Sequence, residues 1–191
     1  VSLLRDVAVI GVGMTRFGKF LDKGIKDLVR ESSEKAIEDA GIGKKDIEAA
    51  YVGSAAPGLM TGQEMIKAQV TLSAMGIDEI PMYNVENACA SSSTAFHLGW
   101  AAVGAGIYDC VLINGFEKLY DTDKIKSFMA LGSAVDVDML NAILSGSEET
   151  QKFIPVESEK VFGKGSGKNR SVFMDMYAFY TKFIMEKYGL T

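Results

Sequence analysis

Cys89 is the residue in this chain best placed to do chemistry. It lies in Asn87-Ala-Cys-Ala-Ser91, directly after an apolar run from Ile80 to Val85 and at the start of a run of helical character. A strand feeding a helix start puts a thiol beside unpaired backbone N–H groups and the positive end of the helix dipole, where a thiolate is stabilised and can act as a nucleophile. The plainer reading of a free cysteine is a small buried hydrophobe, and Cys89 taken alone does not decide between them. Cys110 sits inside an apolar run and reads as core packing. His97 is the one histidine. On a common helix it would stand roughly 12 Å from Cys89 along the axis, beyond hydrogen-bond reach, so it reads as structural or substrate-lining. A lone histidine and two cysteines so spaced do not make a zinc site, and no metal is expected. Tyr51, Tyr83, Tyr108 and Tyr120 have no spacing that singles any of them out as a proton donor.

Two glycine-rich stretches suggest nucleotide sites and fail. Gly11-Val-Gly13 follows a strand-like run, but the third glycine of a dinucleotide fingerprint would fall on Arg16, so no nucleotide redox cofactor is expected. Gly163-Lys-Gly-Ser-Gly-Lys168 resembles a P-loop, yet Phe162 stands where the leading glycine belongs, Asn169 follows Lys168, and no strand precedes it. It reads as a mobile basic loop. The alternative is that Lys160, Lys164, Lys168 and Arg170 meet a phosphate on a carrier.

The elements that would position Cys89 are legible from pattern. Asp6–Met14 reads as a short, fully buried strand closed by glycines. Ile25, Leu28, Val29, Ala36, Ile37 and Ala40 share one face of a helix that Gly41 ends. Asp46–Ser54 reads as a strand, 62–75 as a helix closed by Gly76, and Met82–Val85 as a third strand. From Ala88 to Val103 residues are small or apolar all round, which predicts a helix buried on every side, with Ala90, Ser93, Thr94, Ala101 and Gly104 forming a ridge of close approach. Asp109–Gly115 is a fourth buried strand. Strand and helix thus alternate through residue 118, as in a layered α/β core. Residues 119–170 are weakly patterned, with helical patches at Asp123–Leu131 and Asp136–Leu144, as expected of a lid, binding loop or interface. Ser171–Tyr188 is a helix so rich in Phe, Tyr and Met that it calls for cover, first by further polypeptide, otherwise by a partner or a lipid-like ligand. The expected division is an α/β half at 1–118 and a loop or lid region at 119–191.

Composition narrows the function classes. With 48% apolar residues, a net charge of −5 and no basic stripe interleaved with aromatics, nucleic acid is not an expected partner. The run Val7–Met14 is too short to span a bilayer and lacks the layout of a signal peptide. Two cysteines in such a chain are expected to be reduced, which points to the cytoplasm. The chain begins at Val1 rather than at methionine, so residues upstream of it are expected.

Three segments together resemble the thiolase superfamily, in particular sterol-carrier-protein-type thiolases and their lipid-transfer and steroid side-chain aldolase relatives. They are Val7-Ala-Val-Ile-Gly-Val-Gly-Met-Thr-Arg-Phe-Gly18, Asn84-Val-Glu-Asn-Ala-Cys-Ala-Ser-Ser-Ser-Thr-Ala95 and Asp109-Cys-Val-Leu-Ile-Asn-Gly-Phe-Glu-Lys118. Met185-Glu-Lys-Tyr-Gly189 is similar to the helix that begins the family's loop domain. The resemblance implies an α/β fold: one half of a layered core, with a mixed sheet and buried and flanking helices, plus the beginning of a loop domain. It implies that Cys89 takes up an acyl group from a coenzyme A thioester, with backbone N–H groups near the helix start holding the oxyanion. In the family the catalytic histidines and a second cysteine come from the other half, so this chain alone is not expected to turn over. A homodimer or higher assembly is implied, with a zinc-ribbon and OB-fold protein as a possible acyl-CoA-binding partner. Ser92 stands where the motif more often has glycine, which would narrow or polarise the pocket near Cys89. Two alternatives accompany the acyltransferase reading: a retro-aldol lyase on β-hydroxyacyl-CoA, and a non-catalytic subunit that binds lipid or acyl-CoA.

Overall fold

The computed structural model describes residues 5–138 and 172–190. The chain divides into two compact units, Val1–Ala134 and Val135–Thr191.

In the first unit, helix α1 (Ile25–Ala40) forms where the sequence places it. The Asp27 carboxylate accepts the Gly24 N–H at 2.9 Å, and Gly41 ends the helix in the left-handed region at φ 67°. Strand β1 (Ala49–Gly53) follows, then the short helices α2 (Pro57–Thr61) and α3 (Lys67–Ser73), strand β2 (Met82–Val85), helix α4 (Ser91–Gly104), strand β3 (Val111–Gly115) and helix α5 (Lys124–Gly132). The single helix expected over 62–75 is interrupted. Gly62 closes α2 at φ 82°, Ile66 turns the chain at φ 50°, and only then does α3 begin. Asn84 holds that second start, its Oδ1 accepting the Ala68 N–H at 2.8 Å.

The three strands form one sheet in the order β2-β1-β3, with both pairings parallel. The sequence reading expects a mixed sheet; no antiparallel pairing occurs among the described residues. Every residue of β1 is buried, as its central place requires. Alternation splits the core in two. Ala50 and Val52 face Val29, Ile37, Leu72 and Leu112 on the side of α1 and α3. Ala49 and Tyr51 face Val85, Ala95 and Ala102 on the side of α4.

Residues 6–14 correct the sequence reading. They form no strand, and Val9, Ile10, Val12 and Met14 are exposed. The segment is held by other means. The Arg5 N–H donates to the Gly104 carbonyl, its guanidinium donates to the carbonyls of Val103 and Tyr108 and pairs with Asp109 at 2.7 Å, and the Val12 N–H donates to Asp39. Gly11 and Gly13 lie so close to α1 that a Cβ on either would sit 2.3 or 2.2 Å from a helix carbonyl oxygen. Those glycines serve backbone packing. A cavity of about 600 Å³ separates the segment from the outer side of β3, so its strand-like pattern has no ladder partner among the described residues.

The α4 expectation is also corrected. Ser91, Ala95, Gly99, Ala102 and Gly104 are buried, whereas Phe96, Leu98 and Trp100 are exposed. The helix is covered on one face, and that face is offset from the expected ridge. With small and apolar residues all round, the sequence carries almost no signal for which side turns inward.

In the second unit, helix α6 (Val172–Tyr188) spans the expected range and presents Met174, Tyr177, Tyr180, Phe183, Ile184 and Tyr188 as exposed apolar or aromatic groups. The expected helix at Asp136–Leu144 lies largely outside the described residues, and the basic stretch from Lys160 to Arg170 lies wholly outside them.

Candidate functional site

The parallel sheet brings the carboxyl ends of all three strands to one edge, the place where open α/β sheets commonly bind ligands. At the end of β2 the chain passes through a tight 3-10 turn, Ala88–Ala90, and enters α4. Cys89 occupies the middle of that turn and is exposed. The described residues do not bury it in their core.

The turn is shaped from several sides. Ala88 has φ 45°, a left-handed conformation uncommon for a residue with a Cβ. Its N–H donates to Glu86 Oε1 at 2.6 Å, and its carbonyl accepts from Ser91 Oγ at 2.7 Å. Ser91 Oγ in turn accepts the Asn87 N–H, and the Asn87 amide donates to Thr94 Oγ1, each at 2.9 Å. These bonds tie the cysteine turn to the first turn of α4.

Below the helix start lie two glycines, and both need to be glycine. A Cβ on Gly53 would lie 2.7 Å from the Ser91 carbonyl group, and a Cβ on Gly115 would lie 2.0 Å from Ser92 Oγ. Ser92 therefore directs its hydroxyl over the end of β3. Its extra bulk relative to glycine is taken up there.

The strand ends are laced together beyond the ladder. Ser54 N–H donates to Val85 carbonyl at 3.1 Å and Phe116 N–H to Gly53 carbonyl at 3.1 Å. Glu117 then reaches across from the end of β3, accepting the Ala55 N–H at 2.9 Å and the Ala56 N–H at 3.2 Å through separate oxygens. Sequence reading passed over Glu117 and Glu86. Their signal lay inside the motif segments, where both carboxylates fall next to strand ends.

The other expected residues lie elsewhere. His97 is exposed on α4 and stacks with Trp100, ring centroids 5.8 Å apart. Cys110 precedes β3 and is half-buried; burial pushes its thiol up, with Glu48 and Asp46 adding to the effect. Three tyrosines that spacing did not single out come together: strand register pairs Tyr51 with Tyr83, and Tyr108 joins them from the segment before β3. Tyr51 stacks on Tyr83 at 4.7 Å, and the Tyr83 and Tyr108 hydroxyls share a hydrogen bond of 3.2 Å that pushes Tyr108 up to about 12. Among the described residues no three of His, Cys, Asp and Glu are grouped as metal ligands, and no helix is long and apolar enough to cross a membrane.

An exposed cysteine in a left-handed turn at the carboxyl edge of a parallel sheet, above glycines that admit a helix start, defines one end of an α/β scaffold. Residues 7–162 match the family described as thiolase, N-terminal domain, and the chain belongs to that family. An acetyl-CoA acetyltransferase of Methanocaldococcus jannaschii is 37% identical over 188 residues, covering 98% of this chain and 41% of its own length. Sterol carrier protein 2 of Gallus gallus is 33% identical over 187 residues, covering 97% of this chain and 30% of its own. This chain thus spans well under half the length of these relatives. Among solved structures, an acetyl-CoA acetyltransferase from Syntrophomonas wolfei aligns over 55% of this chain and 27% of its own, at 21% identity and a TM-score of 0.49.

Proposed function

We propose that the protein is a thiolase-type acyltransferase in which Cys89 accepts the acyl group of an acyl-CoA thioester. The observation that carries this reading is the exposed Cys89 thiol in the turn joining β2 to α4. The thiolate attacks the thioester carbonyl, the tetrahedral oxyanion collapses, coenzyme A leaves as its thiolate, and the acyl group stays on Sγ for transfer to a second nucleophile. That sequence divides one difficult exchange into two easier ones. Relatives named acetyl-CoA acetyltransferase support the substrate class.

The groups that move protons in the second step belong, in this proposal, to polypeptide outside residues 1–191, so the segment alone does not turn over. Residues 1–118 form the α/β half and residues 119–191 the loop or lid region. Assembly as a dimer or higher oligomer, with a zinc-ribbon and OB-fold protein presenting acyl-CoA, is part of the same proposal.

Alkylation by iodoacetamide in the intact protein, read by mass spectrometry, tests the nucleophile. Cys89 is expected to react well ahead of Cys110; equal reactivity would count against the assignment. Cys89→Ala separates the acyltransferase from the retro-aldol lyase, because only the former needs an acyl-enzyme. A second reading, lipid binding without catalysis, is favoured by the exposed apolar surface of α6 and by relatives named sterol carrier protein 2. Lipid bound at stoichiometric levels in an intact protein without acyltransferase activity would support it.

A further inference from the structure

We infer that Glu117 is a positioning residue for Cys89, acting through the loop that follows β1; this rests on the acyl-enzyme reading above. The carboxylate spans from the end of β3 to two consecutive backbone N–H groups, Ala55 at 2.9 Å and Ala56 at 3.2 Å. Hydrogen bonds to an ionised acceptor are about twice as strong as neutral ones, and a two-point grip fixes direction as well as distance. No other side chain among the described residues grips it: the Ser54 hydroxyl, on a residue 2% exposed, has no hydrogen-bond partner, and Ser54 holds the loop only through its backbone N–H.

The loop is joined to the chain entering the cysteine turn through backbone, Ser54 donating its N–H to the Val85 carbonyl at the end of β2 at 3.1 Å. Gly53, the last residue of β1, abuts the Ser91 carbonyl group at the start of α4, and the Ser91 hydroxyl is bonded to Asn87 and Ala88, the two residues before Cys89. Displacing the loop therefore displaces the base on which Cys89 stands. Glu117 touches neither the thiol nor any reacting atom in this arrangement; its effect is on where the thiol is held.

Glu117→Gln is nearly isosteric but replaces one acceptor with an NH₂ group that opposes a backbone N–H; Glu117→Ala removes both acceptors. In the intact protein with acetyl-CoA, Glu117→Gln is expected to lower kcat on the order of 10- to 100-fold with KM within about threefold, since small misplacements of a reacting group cost about that much. The rate of Cys89 alkylation by iodoacetamide should change in the same variant while the melting temperature stays close to that of the parent. Glu117→Ala should be at least as impaired; if it fails to fold, Glu117→Gln decides. A kcat and an alkylation rate equal to the parent's in Glu117→Gln, whatever the melting temperature, would overturn the inference. Cys89→Ala run in parallel keeps the two ideas apart. Acyl transfer surviving in Cys89→Ala defeats the acyl-enzyme reading itself, whereas its loss there together with an unaffected Glu117→Gln defeats only the positioning role.

Discussion

At the residue scale, the two cysteines are set apart by environment. Cys89 is exposed in a turn whose backbone is bent through a left-handed Ala88, and Cys110 is half-buried beside Glu48 and Asp46, which with burial hold its thiol protonated to higher pH. Near neutral pH the Cys89 peptide is expected to be alkylated at least about tenfold faster than the Cys110 peptide. Raising the pH should speed alkylation of Cys110, whose thiol burial keeps protonated to higher pH. Ala88 makes a second prediction. Glycine adopts a positive φ without steric cost, so Ala88→Gly should leave the folded state intact and loosen the turn, which limited proteolysis or hydrogen exchange at residues 86–90 would register as faster opening. Exchange as slow as in the parent would mean that the surrounding hydrogen bonds alone fix the turn.

At the element scale, close approach is what places α4 on the sheet. Gly53→Ala drives a methyl group to 2.7 Å from the Ser91 carbonyl group, where the contact is backbone and cannot swing aside. Overpacking of this kind is expected to cost about 1–3 kcal/mol, measurable by urea denaturation. On α1, Glu31 is held down to about 2, first by its hydrogen bond to Lys23 at 2.7 Å and then by Lys35 at 2.9 Å. A carboxylate lowered from its usual ~4.3 adds stability above that value and loses it as the pH falls toward about 2. Glu31→Gln should therefore lower the melting temperature slightly near neutral pH, with the difference vanishing in strong acid and shrinking in salt, since the pair is near the surface. Much of this layer was legible in the residues. Gly41 and the spacing of Ile25, Val29 and Ile37 announced α1, and Met82–Val85 was a strand at the stated bounds. The failures have physical causes. Residues 6–14 carry a strand pattern, but a pattern reports willingness to pair, and no ladder reaches them among the described residues. In α4 uniform apolarity hid which face is buried, and at 62–75 the left-handed Ile66 broke a helix whose periodicity was intact. Cys89 was readable from its neighbours, whereas the Glu117 clamp was not, because it joins strand ends 61 and 62 residues apart in sequence.

At the scale of the whole molecule, the first unit carries Cys89 on its scaffold and leaves a large apolar surface on α4 in the open, through Phe96, Leu98 and Trp100. The relatives are more than twice as long as the part this chain covers. Residues 1–191 expressed alone are expected to bind an apolar dye such as ANS strongly, and a chain of the relatives' length to bind it weakly; equal binding would show that nothing in the longer chain covers this face. Acylation of Cys89 can be caught by rapid acid quenching of the intact protein with acetyl-CoA alone, followed by peptide mass spectrometry. One acetyl adduct is expected on the peptide containing Cys89, removed by added coenzyme A and absent in Cys89→Ala. An adduct on another residue, or acyl transfer that continues undiminished in Cys89→Ala, would contradict it.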